Sequence, residues 1–182
     1  MEVGLEITWF LHDPEFLESL LWSIPEGEKG DFLCSVGTYL LDRFQTTACM
    51  DDLGGAIIIY EKCLELIGDE NPNHEEILSN LGVALQWPFE RTGSMEDIDR
   101  AIQKKEQAVE SAPVDHPNRP GILNHLENAL RSRFERTGSM EDIDRAIQKK
   151  EQAVESTPVD HPNHPGILNN LGHALQRRFE ST

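Results

Sequence analysis

Positive charge is scarce in this chain. Its 182 residues hold 16 Lys and Arg against 33 Asp and Glu, a formal net charge of −17. Residues 1–45 carry −7 and 46–90 carry −8, whereas 91–182 carry only −2. The first half is therefore acid-rich and repels nucleic acid and anionic lipid, so neither is expected as a partner. Solvation alone accounts for such a face; a basic partner segment is the other occupant it suits. Cysteine is scarcer still. Cys34, Cys49 and Cys63 are odd in number and lack CxxC spacing, which fits a reducing compartment and small buried hydrophobes. No apolar run approaches membrane-spanning length. The start, MEVGLEITWFLHD, places acid where a secretion signal needs base. A soluble, cytoplasmic chain is expected.

Catalytic signatures are missing as well. There is no GxxxxGK[ST] phosphate loop, no Gly-x-Ser-x-Gly elbow and no cysteine with a recognisable histidine partner. Glu141, Asp142 and Asp144 fall in the first turn of a helix, where the dipole favours negative charge. His161, His164 and His173 lie close in sequence beside Asp160, but only His161 recurs, as His116. Arg119 and Asn128 replace the other two, so no zinc site is expected. The repeated Asp-His-Pro-Asn is read as a loop-fixing segment, with prolines restricting the backbone and Asp and Asn capping its free N–H groups. No catalysis, cofactor or metal is expected.

What the chain has is repetition. Residues 91–135 and 136–180 match at 38 of 45 positions without a gap. A degenerate copy occupies 46–90, with Met50, Asp52, Ala56, Ile57, Glu61, Leu81, Ala84, Leu85 and Phe89 on their counterparts, and 31–45 aligns with the second half of a unit. The array thus covers 31–182 in about three and a half units: 31–45, 46–90, 91–135 and 136–180. Such repetition is the signature of a stacked solenoid, whose units cannot bury their apolar faces alone.

Each unit reads as two helices. Pro120 suits a first helical turn, and Ile122, Leu123, Leu126, Ala129, Leu130 and Phe134 make one stripe over about 120–135. Thr137-Gly138 breaks the chain. Ser139 then caps a second helix to about 156, buried through Met140, Ile143, Ala146, Ile147, Ala153 and Val154. Pro158 ends it. Phe89, Phe134 and Phe179 are expected to be equivalent packing residues, and Pro88 is expected to kink or end its helix. Residues 1–30 lie outside the clean repeat. Val3, Leu5, Ile7, Trp9 and Leu11 alternate in strand fashion but are read as an irregular arm. A capping helix follows, carrying Phe16, Leu17, Leu20, Leu21 and Ile24 and stopped by Pro25-Glu26-Gly27.

These spacings resemble the tetratricopeptide repeat. Leu81-Gly82 is followed by Leu85, and Leu171-Gly172 by Leu175. Ala101, Ala108 and Pro113, and Ala146, Ala153 and Pro158, stand seven and then five residues apart. Tyr60 occupies the aromatic position that Lys105 and Lys150 fill in the later copies. The unit is longer than the roughly 34 residues of the standard motif. The excess is placed between the helices, around RFERTGSMEDID, and in the DHPN loop. Glu127 stands where Gly82 and Gly172 stand, which implies a looser or rotated helix contact there. Long units with LNNLG and DHP are similar to kinesin-light-chain repeats and to the arrays of fungal NTPase- or CHAT-linked proteins.

The resemblance implies an all-α superhelix of stacked antiparallel helix pairs, with the first helix of each pair lining a concave face. Three aligned sets would then face a peptide: Ser79, Asn124 and Asn169; Val83, Asn128 and His173; Gln86, Arg131 and Gln176; within one helix Asn124, Asn128 and Arg131 would form one column. Amides there can hold a peptide backbone, and Arg131 a carboxylate. Asn124 and Asn169 can equally bridge neighbouring repeats. A non-catalytic protein- or peptide-binding scaffold is the leading expectation. The alternative is a self-assembling module, or a piece of a larger modular protein, because Ile167, Leu168, Leu171 and Leu175 lack a following helix to cover them.

Overall fold

The computed structural model describes residues 14–180, which contain eight α-helices, one short 3₁₀ turn and no strand. They are α1 (Pro14–Trp22), α2 (Lys29–Thr47), α3 (Met50–Leu66), α4 (His74–Thr92), α5 (Met95–Ser111), α6 (Arg119–Thr137), α7 (Met140–Glu155) and α8 (His164–Glu180), with the 3₁₀ turn at Glu26–Glu28. The expected all-α repeat of helix pairs is what forms. The alternating segment at Val3–Leu11 lies outside the described residues. Two compact units divide within α4, the first ending at Ala84 and the second starting at Leu85.

In the first unit α2 packs on α3. Leu33, Leu40, Leu53, Ile59 and Tyr60 are buried, and α1 adds Leu17 and Leu21 while Trp22 stays 90% exposed. Gly37 permits the closest approach: a Cβ there would lie 2.7 Å from the Tyr60 ring. The Tyr60 hydroxyl donates to Thr38 Oγ1 at 3.2 Å, and burial pushes its pKa up to about 12. Cys63 is buried, its thiol donating to the Gly30 carbonyl oxygen at 3.3 Å and pushed up by burial to about 11.

In the second unit α6 lies against both α5 and α7, and α8 packs on α7. Ile122, Leu123, Leu126, Ala129, Leu130 and Phe134 are all buried, as the stripe requires. Phe134 joins Ile143, Ile147 and Ala174 in one cluster. Burial of each such side chain contributes about 1.5–3 kcal/mol relative to exposure.

The corner between paired helices repeats one hydrogen bond in all three copies. Thr47, Thr92 and Thr137 accept through Oγ1 from the N–H two residues on, at 3.2, 3.1 and 3.2 Å. Gly93 and Gly138 hold left-handed φ of 72° and 70°, and Ala48 does so at 56° without the freedom of glycine. Ser94 and Ser139 then cap the next helix, each accepting from the third N–H on at 3.4 Å. Only Gly138-Ser139 separate α6 from α7. The extra residues around RFERTGSMEDID therefore lengthen the helices and do not form an insertion between them.

An arginine fork locks two of these corners. Arg133 donates to Asp142 from Nε at 2.9 Å and from Nη2 at 2.5 Å, and to Asp99 at 2.6 Å. Arg43 grips Asp52 likewise, with Nε at 2.6 Å from Oδ2, and Asp52 is 1% exposed. Both guanidinium pKa values are raised, chiefly by these bonds. The aligned position in the remaining corner is Pro88, and α4 runs on through it to Thr92. Of the kink or end expected there, the end does not occur. Leu85 and Phe89, both buried, hold it on either side, and Thr92 Oγ1 donates to the Pro88 carbonyl at 2.9 Å.

Candidate functional site

The polar residues of the site follow from how the helix pairs close. At the aromatic position of the repeat the three copies carry Tyr60, Lys105 and Lys150, and all three are buried. At the matching position of the first helices the sequence carries Gly37, Gly82 and Glu127 in alignment. Where Gly37 meets Tyr60, Glu127 meets Lys150, whose Nζ lies 3.0 Å from Glu127 Oε2 and donates to Asn124 Oδ1 at 2.6 Å. Glu127 is 3% exposed. The glutamate in a glycine position is thus held in a buried ion pair. Lys105 stands differently. Its Nζ donates to the neutral Gln86 Oε1, and burial pulls its pKa down to about 7 against a weaker opposing pull from Glu90. His125, whose pKa is lowered by burial and then by the Lys105 charge, shares that surrounding.

Outside this buried layer, a cleft of about 310 Å³ opens between α6 and α8. Asn128, Arg131, Asn170, His173 and Arg177 line it, with Glu127 at its floor. Arg131 donates to Glu135 at 2.8 Å and to Asn128 Oδ1 at 3.3 Å, and Arg177 also donates to Glu135. One carboxylate thus lies between two guanidinium groups. On the loop side a second cleft, of about 590 Å³, is lined by Asn118, Asn124, His161 and Asn163, and Asn170 borders both.

The structure brings Asn128, Arg131 and His173 together in the smaller cleft, whereas Asn124, expected in one column with Asn128 and Arg131, lines the larger one. Asn169 and Gln176 are exposed on α8 outside the smaller cleft, Gln176 donating to Glu180 at 2.7 Å. Gln86 serves Lys105 and also donates to Glu90 at 2.9 Å. Asn124 is held by Lys150, a bridge between neighbouring copies. Ser79 is 6% exposed and lies in the interior.

Asn170 and Arg177 belong to none of the aligned sets, although a signal for them exists in the sequence. The two near-identical copies differ at seven aligned positions, and six of these fall on α6 and α8. Every polar residue lining the smaller cleft occupies one of them: Glu127 opposite Gly172, Asn128 opposite His173, Arg131 opposite Gln176, Asn170 opposite His125, and Arg177 opposite Ser132. Residues 94–111 and 139–156, by contrast, are the same word for word.

The histidines have local duties. The Nδ1 atoms of His116 and His161 accept from the N–H of Asn118 and Asn163 at 3.3 and 3.2 Å. Histidine, rather than the expected Asp or Asn, thus caps the DHPN loop. His164 Nδ1 bonds the Thr157 carbonyl at 3.0 Å, and the aligned Arg119 grips the Val109, Ala112 and Pro113 carbonyls. Both satisfy the open end of the preceding helix. Among the described residues no group of His, Cys, Asp and Glu is arranged to hold a metal ion, and no helix is long and apolar enough to cross a membrane.

No protein-family model matches the chain. No curated protein matches it either. Among solved structures it is similar to a de novo designed helical repeat protein at 19% identity, over 85% of this chain and 81% of that one, with a TM-score of 0.43.

Proposed function

We propose that this chain is a non-catalytic, cytoplasmic binding scaffold of the tetratricopeptide type, which holds an extended peptide segment along the cleft between α6 and α8. The observation that carries this reading is where the two copies diverge. Two nearly identical units keep their second helices unchanged and vary the polar residues that line one cleft. Asn128 and Asn170 offer donor and acceptor to a peptide backbone, and Arg131 and Arg177 offer a carboxylate the place that Glu135 now fills. A basic stretch in the same partner would be drawn by the −15 carried on residues 1–90.

The test is to select binders from a random peptide library, then measure their affinity for the chain and for the R131A/R177A variant. Affinity should fall at least tenfold, with a change in stability of no more than about 0.5 kcal/mol. Affinity that survives this change but is lost on neutralising Asp51 and Glu76 would move the function to the acidic face.

A second reading is supported by α8. Leu168, Leu175 and Phe179 are 45%, 46% and 82% exposed. In that reading the chain is a module, or part of a larger modular protein, that assembles through this helix. Its molecular mass in solution, measured by light scattering across concentration, tests for self-association.

A further inference from the structure

Arg131 and Arg177 come from different positions of the repeat unit, aligned with Gln176 and Ser132, and still converge between α6 and α8. Each donates through Nη1 to the same atom, Glu135 Oε1, Arg131 at 2.8 Å. Two cationic nitrogens bonded to one oxygen are close neighbours, and a single negative charge stands against their repulsion. Other arginines of this unit are matched differently: Arg133 has both Asp99 and Asp142, and Arg145 has Glu106. The carboxylate at the cleft floor, Glu127, is committed to Lys150 at 3.0 Å and stands 3.7 Å from Arg131 Nε. In a chain with a net charge of −17, this wall is cationic.

A carboxylate supplies that wall with one charge. A phosphoryl group supplies about −1.5 to −2 at pH 7 and three acceptor oxygens, and guanidinium forks match it. The amides of Asn128 and Asn170 and the ring of His173 add N–H donors around the same space of about 310 Å³. Glu135 is 40% exposed, so its side chain can turn out into water. Asn170 also borders the cleft of about 590 Å³, whose wall includes Pro117, Pro158 and Ile167. Residues flanking a phosphorylated side chain have room there, whereas a free ion would leave that space unused.

We propose that the cleft between α6 and α8 receives a phosphorylated serine or threonine of an extended partner segment, whose phosphoryl group displaces Glu135 and bridges Arg131 and Arg177. The proposal rests on the reading of the chain as a peptide-binding scaffold and adds the chemistry of the residue it recognises. Glu135 then acts as an internal competitor, holding the two arginines until the phosphoryl group replaces it.

The probes are three degenerate peptide libraries, identical except for a fixed central phosphoserine, glutamate or serine. They are passed over the immobilised full chain, and retained peptides are titrated by fluorescence anisotropy. Phosphoserine peptides should bind at least tenfold more tightly than their glutamate and serine counterparts. R131A/R177A should remove that margin while leaving the circular-dichroism melt in place. E135Q should tighten phosphopeptide binding at least threefold, a gain that unfolding cannot produce. Inorganic phosphate and O-phospho-L-serine should compete only at concentrations at least tenfold above that of the peptide. A margin that survives R131A/R177A overturns the site. Equal binding of the three kinds, still weakened by R131A/R177A, overturns the phosphoryl assignment and leaves the peptide scaffold standing. No retained peptide from any library overturns both. Competition by inorganic phosphate at the peptide's own concentration makes a free anion the ligand and overturns the partner segment. Unchanged affinity in E135Q overturns the role of Glu135.

Discussion

Glu127 and Lys150 form a buried ion pair at the place where Gly37 and Tyr60 form an apolar contact in the first unit. Lys105 shares the surroundings of neither. It is as deeply buried as Lys150, but its Nζ donates to the amide oxygen of Gln86. Two lysines at the same position of nearly identical sequences should therefore respond in opposite ways to the same substitution. Lys150→Met leaves the Glu127 carboxylate buried beside one distant arginine, Arg131 at 3.7 Å, and should destabilise by about 3–5 kcal/mol. Lys105→Met removes a charge held at a cost and should be neutral or stabilising, by up to about 4 kcal/mol. Urea melts of the two variants measure both.

Lys105 also sets a pH dependence. Its amine titrates at about 7 in the folded chain against 10.5 as the reference. Above 10.5 it is neutral in both states, and the full stability is present. As pH falls from there towards 7, the unfolded chain takes up a proton that the folded chain does not. Stability is lost across that window and stays lost below it. His125, whose pKa is also lowered on folding, adds a loss of the same sign at lower pH. The melting temperature of the wild type should rise relative to that of Lys105→Met between pH 7 and pH 9. Parallel curves would refute the assignment.

The phenylalanines separate into two kinds. Phe134→Ala should cost about 3–5 kcal/mol, since its ring is 8% exposed and sits in the α6–α7 cluster. Phe179→Ala should change stability by no more than about 0.5 kcal/mol, because its ring is 82% exposed. The expectation that the two rings pack alike is thus corrected. Chemical denaturation of both variants gives the comparison.

Ala48 holds a φ of 56° where the equivalent corners use glycine. An L-residue pays roughly 1 kcal/mol for that conformation, so Ala48→Gly should stabilise by about that amount. Gly138→Ala should destabilise similarly, although its Cβ meets no neighbour within 4 Å. A thermal melt that fails to separate the two substitutions in sign would show that the corner is not strained.

The helices were legible in the sequence because period and punctuation agreed. The stripe from Ile122 to Phe134, the Thr-Gly break and the Ser139 cap each occur where the residues imply. What was not legible depended on what lies across a contact. Glu127 reads as a misfit in a glycine position until Lys150 is placed over it, and Lys150 as a misfit in an aromatic position until Glu127 is. Neither residue alone signals a pair. The arginine fork was hidden for the same reason, since Arg133 and Asp142 are nine residues apart and belong to different helices. Pro88 misled in the other direction: its local preference to break a helix lost to the burial of Leu85 and Phe89 around it.

The identity of 94–111 with 139–156 makes correct assembly a problem of addressing. A chain emerging from collapse offers α6 two helices with the same surface, and the apolar contacts cannot distinguish the right one from the wrong one. Between molecules the ambiguity is the same, so an α7 from a neighbour can seat on α6 as well as its own, the condition for domain exchange in repeat proteins. Only linker length and the order in which helices emerge distinguish the two copies. Refolding yield should therefore fall with protein concentration more steeply than for an array whose units share less sequence.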